Sequence, residues 1–267
     1  MRTFEDFVAG VVPDPKVWHM KMSNFDRVNT DYVILFGART GSTWLTHLLR
    51  RLLGHPDEYL NPDFLAGNAE RLGTTNPIDF MKAIRSASQT GGVFGIEATC
   101  EHIAIFGEDR FFKVIERPVV FHLWRENLVA QSVSIYRAVK TGHFHSTEGK
   151  APPDPEYIPS ELENWYRYMA RVENGNVELL QRREITPINL TYETIFKDAR
   201  KTLQLFHDSL TRVLPHVDDV KNQVEKLGSD WNSDAEKHFR QSHAELVGST
   251  EDSRLVRRLG MVSVLAG

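Results

Sequence analysis

Cysteine is almost absent from this 267-residue sequence: Cys100 stands alone. One thiol cannot close an intramolecular disulfide, and no Cys/His cluster has the spacing of a structural zinc site. Neither staple is available, which suits a reducing compartment. Cys100 itself reads as a small buried core residue. Also lacking is any apolar stretch near the roughly 20 residues that a membrane span requires. The N-terminus, MRTFEDFVAGVVPDPK, has acidic residues and prolines where a signal peptide needs an apolar run. A cytoplasmic protein with no integral membrane segment is therefore expected. Positive charge is not in excess: 32 Lys and Arg face 36 Asp and Glu, for a net charge of −4. A nucleic-acid partner held by general phosphate neutralisation is not expected. There is no internal repeat and no low-complexity tract.

What is present is ordinary for a globular chain, with 41% hydrophobic and 25% charged residues. The length suits one large domain over 1–267. After a lead-in of short helices or irregular chain to about residue 30, YVILFG (32–37) is a continuous apolar run ended by glycine, as a strand buried on both faces would be. VFGIEA (93–98), VVFHLW (119–124) and TPINLTYE (186–193) are further strand candidates. Trp44, Leu45, Leu48, Leu49 and Leu52 recur at helical spacing before Gly54 and Pro56 stop the helix. Helices are also expected over 125–140, 160–182 and 198–213. Strands alternating with helices predict an α/β fold of three layers, a central parallel sheet flanked by helices. The segment TGHFHSTEGKAPPDPEYIP (141–159) has four prolines and no periodicity. Such a stretch reads as a loop covering the substrate, in a region extending to about residue 165, with a solvated linker as the alternative.

The junction between the first strand and its helix reads Gly37-Ala38-Arg39-Thr40-Gly41-Ser42-Thr43-Trp44. A buried strand that turns through glycine into a helix presents unpaired N–H groups at the positive end of the helix dipole, which makes an anion site. Gly41 permits close approach of a ligand, Ser42 and Thr43 add hydroxyl donors, and Arg39 adds a permanent planar charge. The Walker A pattern fails, because three residues rather than four separate Gly37 from Gly41 and no lysine follows. The dinucleotide fingerprint G-x-G-x-x-G is absent as well.

A basic residue two places before the glycine resembles the 5′-phosphosulfate loop of sulfotransferases, which reads Lys/Arg-Ser-Gly-Ser/Thr-Thr. These enzymes use 3′-phosphoadenosine-5′-phosphosulfate (PAPS) as donor. GHPDEYLNP, GGVFG, WRENLVAQSVSIYRAVKTG and LTYETIFKDARKTL resemble, in the same order, segments of the bacterial trehalose 2-sulfotransferase-like family, over about 31–205. The resemblance implies a P-loop-like sulfotransferase fold, with Arg39, Thr40, Gly41, Ser42, Thr43 and Trp44 around the 5′-phosphosulfate and no metal required. It implies a 3′-phosphate site of an arginine and a helical serine at a later strand-to-helix junction, here Arg125 and Ser132 or Ser134. On a helix, Ser132 shares the stripe of Leu128, Ile135 and Val139. Ser134 instead shares a face with Asn127, Ala130, Gln131 and Ala138, which favours Ser134. Tyr192 matches a family position near the adenine, and Arg257 and Arg258 beside Gly260 are candidates for added charge.

Sulfuryl transfer also needs a base for the acceptor hydroxyl. The family's glutamate in a Gly-x-Pro-x-Glu-Phe/Tyr pattern falls on Glu58, between Pro56 and Tyr59. His55 is the runner-up, because its ordinary pKa suits a base at neutral pH. Glu58 and Arg39 are thus the expected catalytic residues. The family's strand usually continues after Gly95 with a lysine, whereas this chain has Glu97. The implied activity is transfer of a sulfuryl group from PAPS to a hydroxyl of a small molecule, a carbohydrate or glycolipid. A small-molecule kinase with a degenerate phosphate loop and a non-catalytic nucleotide-binding protein remain alternatives. The oligomeric state is open, a homodimer included.

Overall fold

The structure, a computed structural model, describes residues 1–23, 28–50, 52–144, 152–210 and 229–263. Four parallel strands, β1 (Thr30–Phe36), β2 (Val93–Ala98), β3 (Val119–Trp124) and β4 (Ile188–Thr191), form a sheet in the order β2-β1-β3-β4. The expected α/β class and parallel sheet are both found, and β2 and β3 span the residues expected of them. Helices α1 (Phe4–Val8) and α2 (Pro15–Ser23) precede the sheet, and α3 (Ser42–Leu49) follows β1. Next come α4 (Pro62–Leu72), α5 (Pro77–Ser88), α6 (Cys100–Phe106) and α7 (Glu108–Val114). Helices α8 (Leu128–Thr141) and α9 (Pro159–Arg182) lie between β3 and β4, and α10 (Tyr192–Lys197), α11 (Ala199–Ser209), α12 (Asp230–Ser242) and α13 (Ala244–Ser263) follow.

Alternation along the strands produces the layers. Val33, Leu35, Phe94, Ile96 and Val120 join one buried cluster with Leu65, Phe80, Ile84 and Phe106 of α4, α5 and α6. Tyr32, Ile34, Phe36, Phe121 and Leu123 point the other way, into Leu45, Leu49, Ile195 and Phe206 of α3, α10 and α11. Burying each such side chain contributes roughly 1.5–3 kcal/mol, so a strand apolar on both faces is stable only with helices on both sides. A third cluster joins α8, α9, α12 and α13 through Tyr136, Tyr166, Phe239 and Val247.

Several boundaries differ from expectation, each for a local reason. The fourth strand ends at Thr191, because that residue caps α10 in a capping box with Thr194. Helix α8 starts at Leu128 rather than 125, because Asn127 accepts from the Ala130 amide as N-cap and leaves Arg125 outside the helix. Helix α3 stops at Leu49, since Arg50 turns extended. The covering region expected to reach residue 165 ends earlier, because Pro159 begins α9 as a first-turn proline. Its part 152–158 is tied down: Tyr136 Oη donates to the Glu156 carbonyl at 2.5 Å, and Arg137 pairs with Asp154. Residues 145–151 of that region, and residues 211–213 of the expected 198–213 helix, lie outside the described residues. Helices α4 to α7 add to the elements expected from sequence, although Asn61-Pro62 and Asn76-Pro77 are strong starts, each with a capping side chain and proline in the first turn. Among the described residues no helix is long and apolar enough to cross a membrane.

Gly95 in β2 holds the Tyr32 ring against the strand, with the Tyr32 hydroxyl donating to the Leu53 carbonyl at 2.8 Å. A Cβ at this position would overlap the buried ring itself. Gly95→Ala is expected to cost about 1–3 kcal/mol through overpacking. Thermal unfolding of the variant should show a midpoint several degrees lower; an unchanged midpoint would mean that Tyr32 repacks freely.

Candidate active site

The turn after β1 is held by its carbonyls. Asn176 of α9 donates to the Phe36 carbonyl at 2.8 Å, and Thr40 Oγ1 to the Gly37 carbonyl at 2.8 Å. Gln131 of α8 donates to the Ala38 carbonyl at 2.7 Å, and Arg125 Nη1 to the Arg39 carbonyl at 3.5 Å. In a trans peptide the next N–H points opposite to the C=O, so carbonyls tied back to α8 and α9 turn the following amides the other way. Arg39 has a left-handed φ of 65°, a conformation uncommon for a residue with a side chain and found at functional turns. Gly41 has φ 84°, and a Cβ there would press on the Phe196 and Tyr192 rings of α10. As the N-cap of α3 it offers no side chain to the first-turn amides, which leaves them for an anion. Thr40 commits its hydroxyl proton inside the turn, so only its backbone can serve a ligand. Trp44 is buried and stacks on Phe196 at 4.7 Å, so it too can contribute only its amide.

The second junction, between β3 and α8, stands beside the first because β1 and β3 are neighbours. Arg125 lies there with its guanidinium 4.3 Å from the centre of the Tyr192 ring. Its Nε is buried with no hydrogen-bond partner, and among the described residues no carboxylate pairs with it. Burial holds its pKa below the usual arginine value. With no ion pair, and only the attraction of Glu193 and Glu236 to offset its partial burial, the guanidinium favours an incoming anion. Ser134 accepts from Arg39 Nε at 2.9 Å, while Arg39 Nη1 donates to the Phe144 carbonyl at 2.7 Å. Ser132 is buried and donates to the Leu128 carbonyl within its own helix. Arg39, Arg125, Ser134 and Tyr192 therefore form one cluster.

A cleft of about 980 Å³ at the carboxyl end of the sheet is lined by Arg39 of this cluster, but not by Arg125, Ser134 or Tyr192, and Ser42, Thr43, Thr46, Glu58 and Glu97 are among its other lining residues. Such a crevice, where successive strands diverge to opposite sides of β1, is where open α/β sheets take ligands. Glu58 accepts from Asn61 Nδ2 at 2.8 Å, and its own amide donates to Asp57 at 2.8 Å. Burial raises its pKa, and the charges of Asp57 and Asp63 add to the rise. His55 does not line the cleft: its ring lies beside Tyr59, whose hydroxyl donates to the His55 carbonyl at 2.7 Å. Burial also lowers the His55 pKa, the wrong direction for a stronger base.

Two residues that the sequence reading does not place in a role stand out. Glu97 is 3% exposed at the end of β2, and Thr46 Oγ1 donates to it. Burial, helped by Glu58 and Asp57 and opposed by the Thr46 and Ser42 hydroxyls, pushes its carboxyl up to about 8. Arg254 of α13 is 2% exposed and bonds the main chain at Arg125 and Glu126. Of the arginines named from sequence in this helix, Arg257 is half-exposed and the Arg258 side chain lies outside the described residues. Cys100 is half-buried, with Sγ packed on Gly175.

Comparison with known proteins bears on the whole arrangement. The Stf0 sulphotransferase family matches residues 31–242. A mouse sulfotransferase, SULT7A1, solved in complex with PAP, superposes with a TM-score of 0.51 at 12% identity, covering 93% of both chains. This likeness is one of fold. A sulfotransferase from Alicyclobacillus acidocaldarius aligns at a TM-score of 0.46 and 13% identity, covering 83% of this chain and 96% of that one. No curated protein matches the sequence.

The buried Glu97 carboxyl makes stability pH-dependent. From its ordinary value of 4.5 up to about 8, the unfolded chain ionises this group and the folded chain does not. Stability is therefore full below the lower value and falls as pH rises through the window, by at most about 1.4 kcal/mol per pH unit. Glu97→Gln keeps an acceptor for Thr46 and removes the ionisation. Its melting temperature should fall less than that of the wild type between about pH 5 and about pH 8; parallel profiles would place the ionisation elsewhere.

Proposed function

The chain belongs to the Stf0 sulphotransferase family and is a sulfotransferase, and from that premise we propose that it moves a sulfuryl group from PAPS to a hydroxyl of a carbohydrate or glycolipid. The observation that carries the donor assignment is the pairing of two anion sites at neighbouring strand ends. The 5′-phosphosulfate is met by the amides of residues 41–44 with Arg39, and the 3′-phosphate by Arg125 with Ser134. Tyr192, under the Arg125 guanidinium, closes the adenosine side. PAP, adenosine 3′,5′-bisphosphate, is the product this chemistry would leave, and the mouse protein of the same fold was solved with PAP. The donor's charge is met by arginines and amides, so the reading calls for no metal. A half-buried, unpaired Cys100 fits a cytoplasmic setting.

In the proposed reaction the acceptor oxygen attacks sulfur as its O–H proton passes to the Glu58 carboxylate. The bond from sulfur to the bridging oxygen breaks, and its electron pair leaves with the 5′-phosphate of PAP. Positioning and charge stabilisation do most of the work, as in phosphoryl transfer. A raised pKa makes the Glu58 carboxylate a better base than an exposed one. On the acceptor side, the 53%-exposed Phe64 ring stands among Asn61, Asp63, Asn68 and Arg71 on the cleft wall. An aromatic face beside amide, carboxylate and guanidinium groups suits the apolar face and hydroxyl rim of a sugar.

Calorimetric titration should show PAP binding at least about tenfold tighter than 5′-AMP, unchanged by EDTA and weakened by Arg125→Met, as expected for a charge-assisted contact. Equal affinities for PAP and AMP would remove the 3′-phosphate site, and tight binding only of ATP with magnesium would favour a kinase. Glu58→Gln should retain PAP binding while turnover with PAPS and a panel of sugar acceptors falls by about 10²- to 10⁴-fold. A Glu58→Gln enzyme with wild-type turnover would exclude this residue as the base.

A further inference from the structure

Arg254 lies in α13, far along the chain from either anion site, yet all its donor groups are engaged beneath one of them. Nε and Nη2 grip the Glu173 carboxylate of α9 at 2.8 and 2.7 Å. Nη1 donates to the Glu126 carbonyl at 3.0 Å, and Nη2 also donates to the Arg125 carbonyl at 2.6 Å. The planar fork thus spans two elements, with a carboxylate on one edge and two consecutive main-chain carbonyls on the other. Those carbonyls belong to the short link between the end of β3 at Trp124 and the N-cap of α8 at Asn127. Nothing in strand or helix geometry fixes the link by itself. Asn127 is held from the same side: Arg240 Nη2 of α12 donates to its Oδ1 at 2.8 Å, and its Nδ2 donates to Glu236 at 2.7 Å.

We propose that Arg254 is a positioning residue of the donor site, holding the main chain at Arg125 and Glu126 so that the Arg125 guanidinium meets the donor's 3′-phosphate. The inference rests on the donor reading above. Glu173 neutralises Arg254 locally, so the effect on the donor is geometric and not one of added charge. A buried ion pair is weak as a source of stability, because desolvation offsets its attraction. What this pair does supply is a fixed point: a link of two residues anchored at both carbonyls holds the Arg125 side chain against the Tyr192 ring and the Arg39 carbonyl. The helices α12 and α13 thereby become part of the donor site without touching the ligand.

The test is Arg254→Lys in the full chain, titrated with PAP and with 5′-AMP. Lysine keeps the charge beside Glu173 but lacks the fork that reaches both carbonyls together. PAP affinity should fall about tenfold, because misplacement of a binding group by an ångström is costly, while AMP affinity changes less than about twofold. In steady state the PAPS KM should rise with kcat little changed at saturating donor. An equal loss for both nucleotides, or no loss for either, overturns the proposal. If Arg254→Lys does not fold, Glu173→Gln serves instead: it leaves Arg254 in place but frees it to shift, and should lower PAP affinity selectively. Failure of selectivity in that variant overturns the proposal equally. A wild type that binds PAP and AMP alike would remove the 3′-phosphate site itself, and this inference with it. A selective wild type with an equally selective Arg254→Lys would remove the inference alone.

Discussion

The site depends on where four carbonyls go. Phe36, Gly37, Ala38 and Arg39 each give their oxygen to a side-chain donor, from Asn176, Thr40, Gln131 and Arg125 in turn. Because an amide plane cannot point both its groups the same way, satisfying these acceptors sets the amides of residues 37–40 and so the path by which the chain enters α3, whose first-turn amides follow. The positive φ at Arg39 and Gly41 follows from the same demand, and the contact of Gly41 with α10 closes the turn from the other side. Each supporting helix must therefore dock in one place. The core clusters on the two faces of the sheet supply the energy for that docking, and the polar bonds supply its register.

At the ends of β3 and β2 the protein holds two ionisable groups in opposite circumstances. Arg125 is a partly buried cation that makes no ion pair among the described residues, with Glu193 and Glu236 attracting it, so it favours an incoming anion. Glu97 is a carboxyl that burial keeps largely neutral at pH 7, offered only hydroxyl partners. A neutral Glu97 removes the repulsion that an ionised carboxylate would exert on a donor carrying several negative charges. The absence of the family's usual lysine at this point is thus compatible with anion binding, although it withdraws one positive charge from the cleft.

Much of the architecture was legible because buried parallel strands leave unbroken apolar runs. VFGIEA and VVFHLW became β2 and β3 over those same residues. Boundaries were harder where a cap overrode propensity, as at Asn127 and Thr191. The junction from Gly37 to Trp44 was readable as a strand-to-helix turn because glycine ends the apolar run and helical spacing follows it. Sequence could not separate Ser132 from Ser134 beyond a helical-wheel argument, and the hydrogen bonds now distinguish them: one closes onto its own helix, the other accepts from Arg39. Nor could it separate Glu58 from His55, since which of two residues three apart faces a cleft depends on how the loop is folded. Arg254 left no signal at all. A buried arginine looks like any surface arginine until Glu173 and two distant carbonyls are placed around it.

The Phe36 to Asn176 bond joins residues 140 apart in sequence, and the Ala38 to Gln131 bond joins residues 93 apart. During synthesis the turn leaves the ribosome before the donors that shape it, which arrive only after α8 and most of α9 have been translated. The apolar strand and α3 can associate before then; the orientation of the amides cannot be set. Long-range contacts of this kind are slow to form because loop closure precedes their reward. The turn is thus made well before the side chains that give it its final shape.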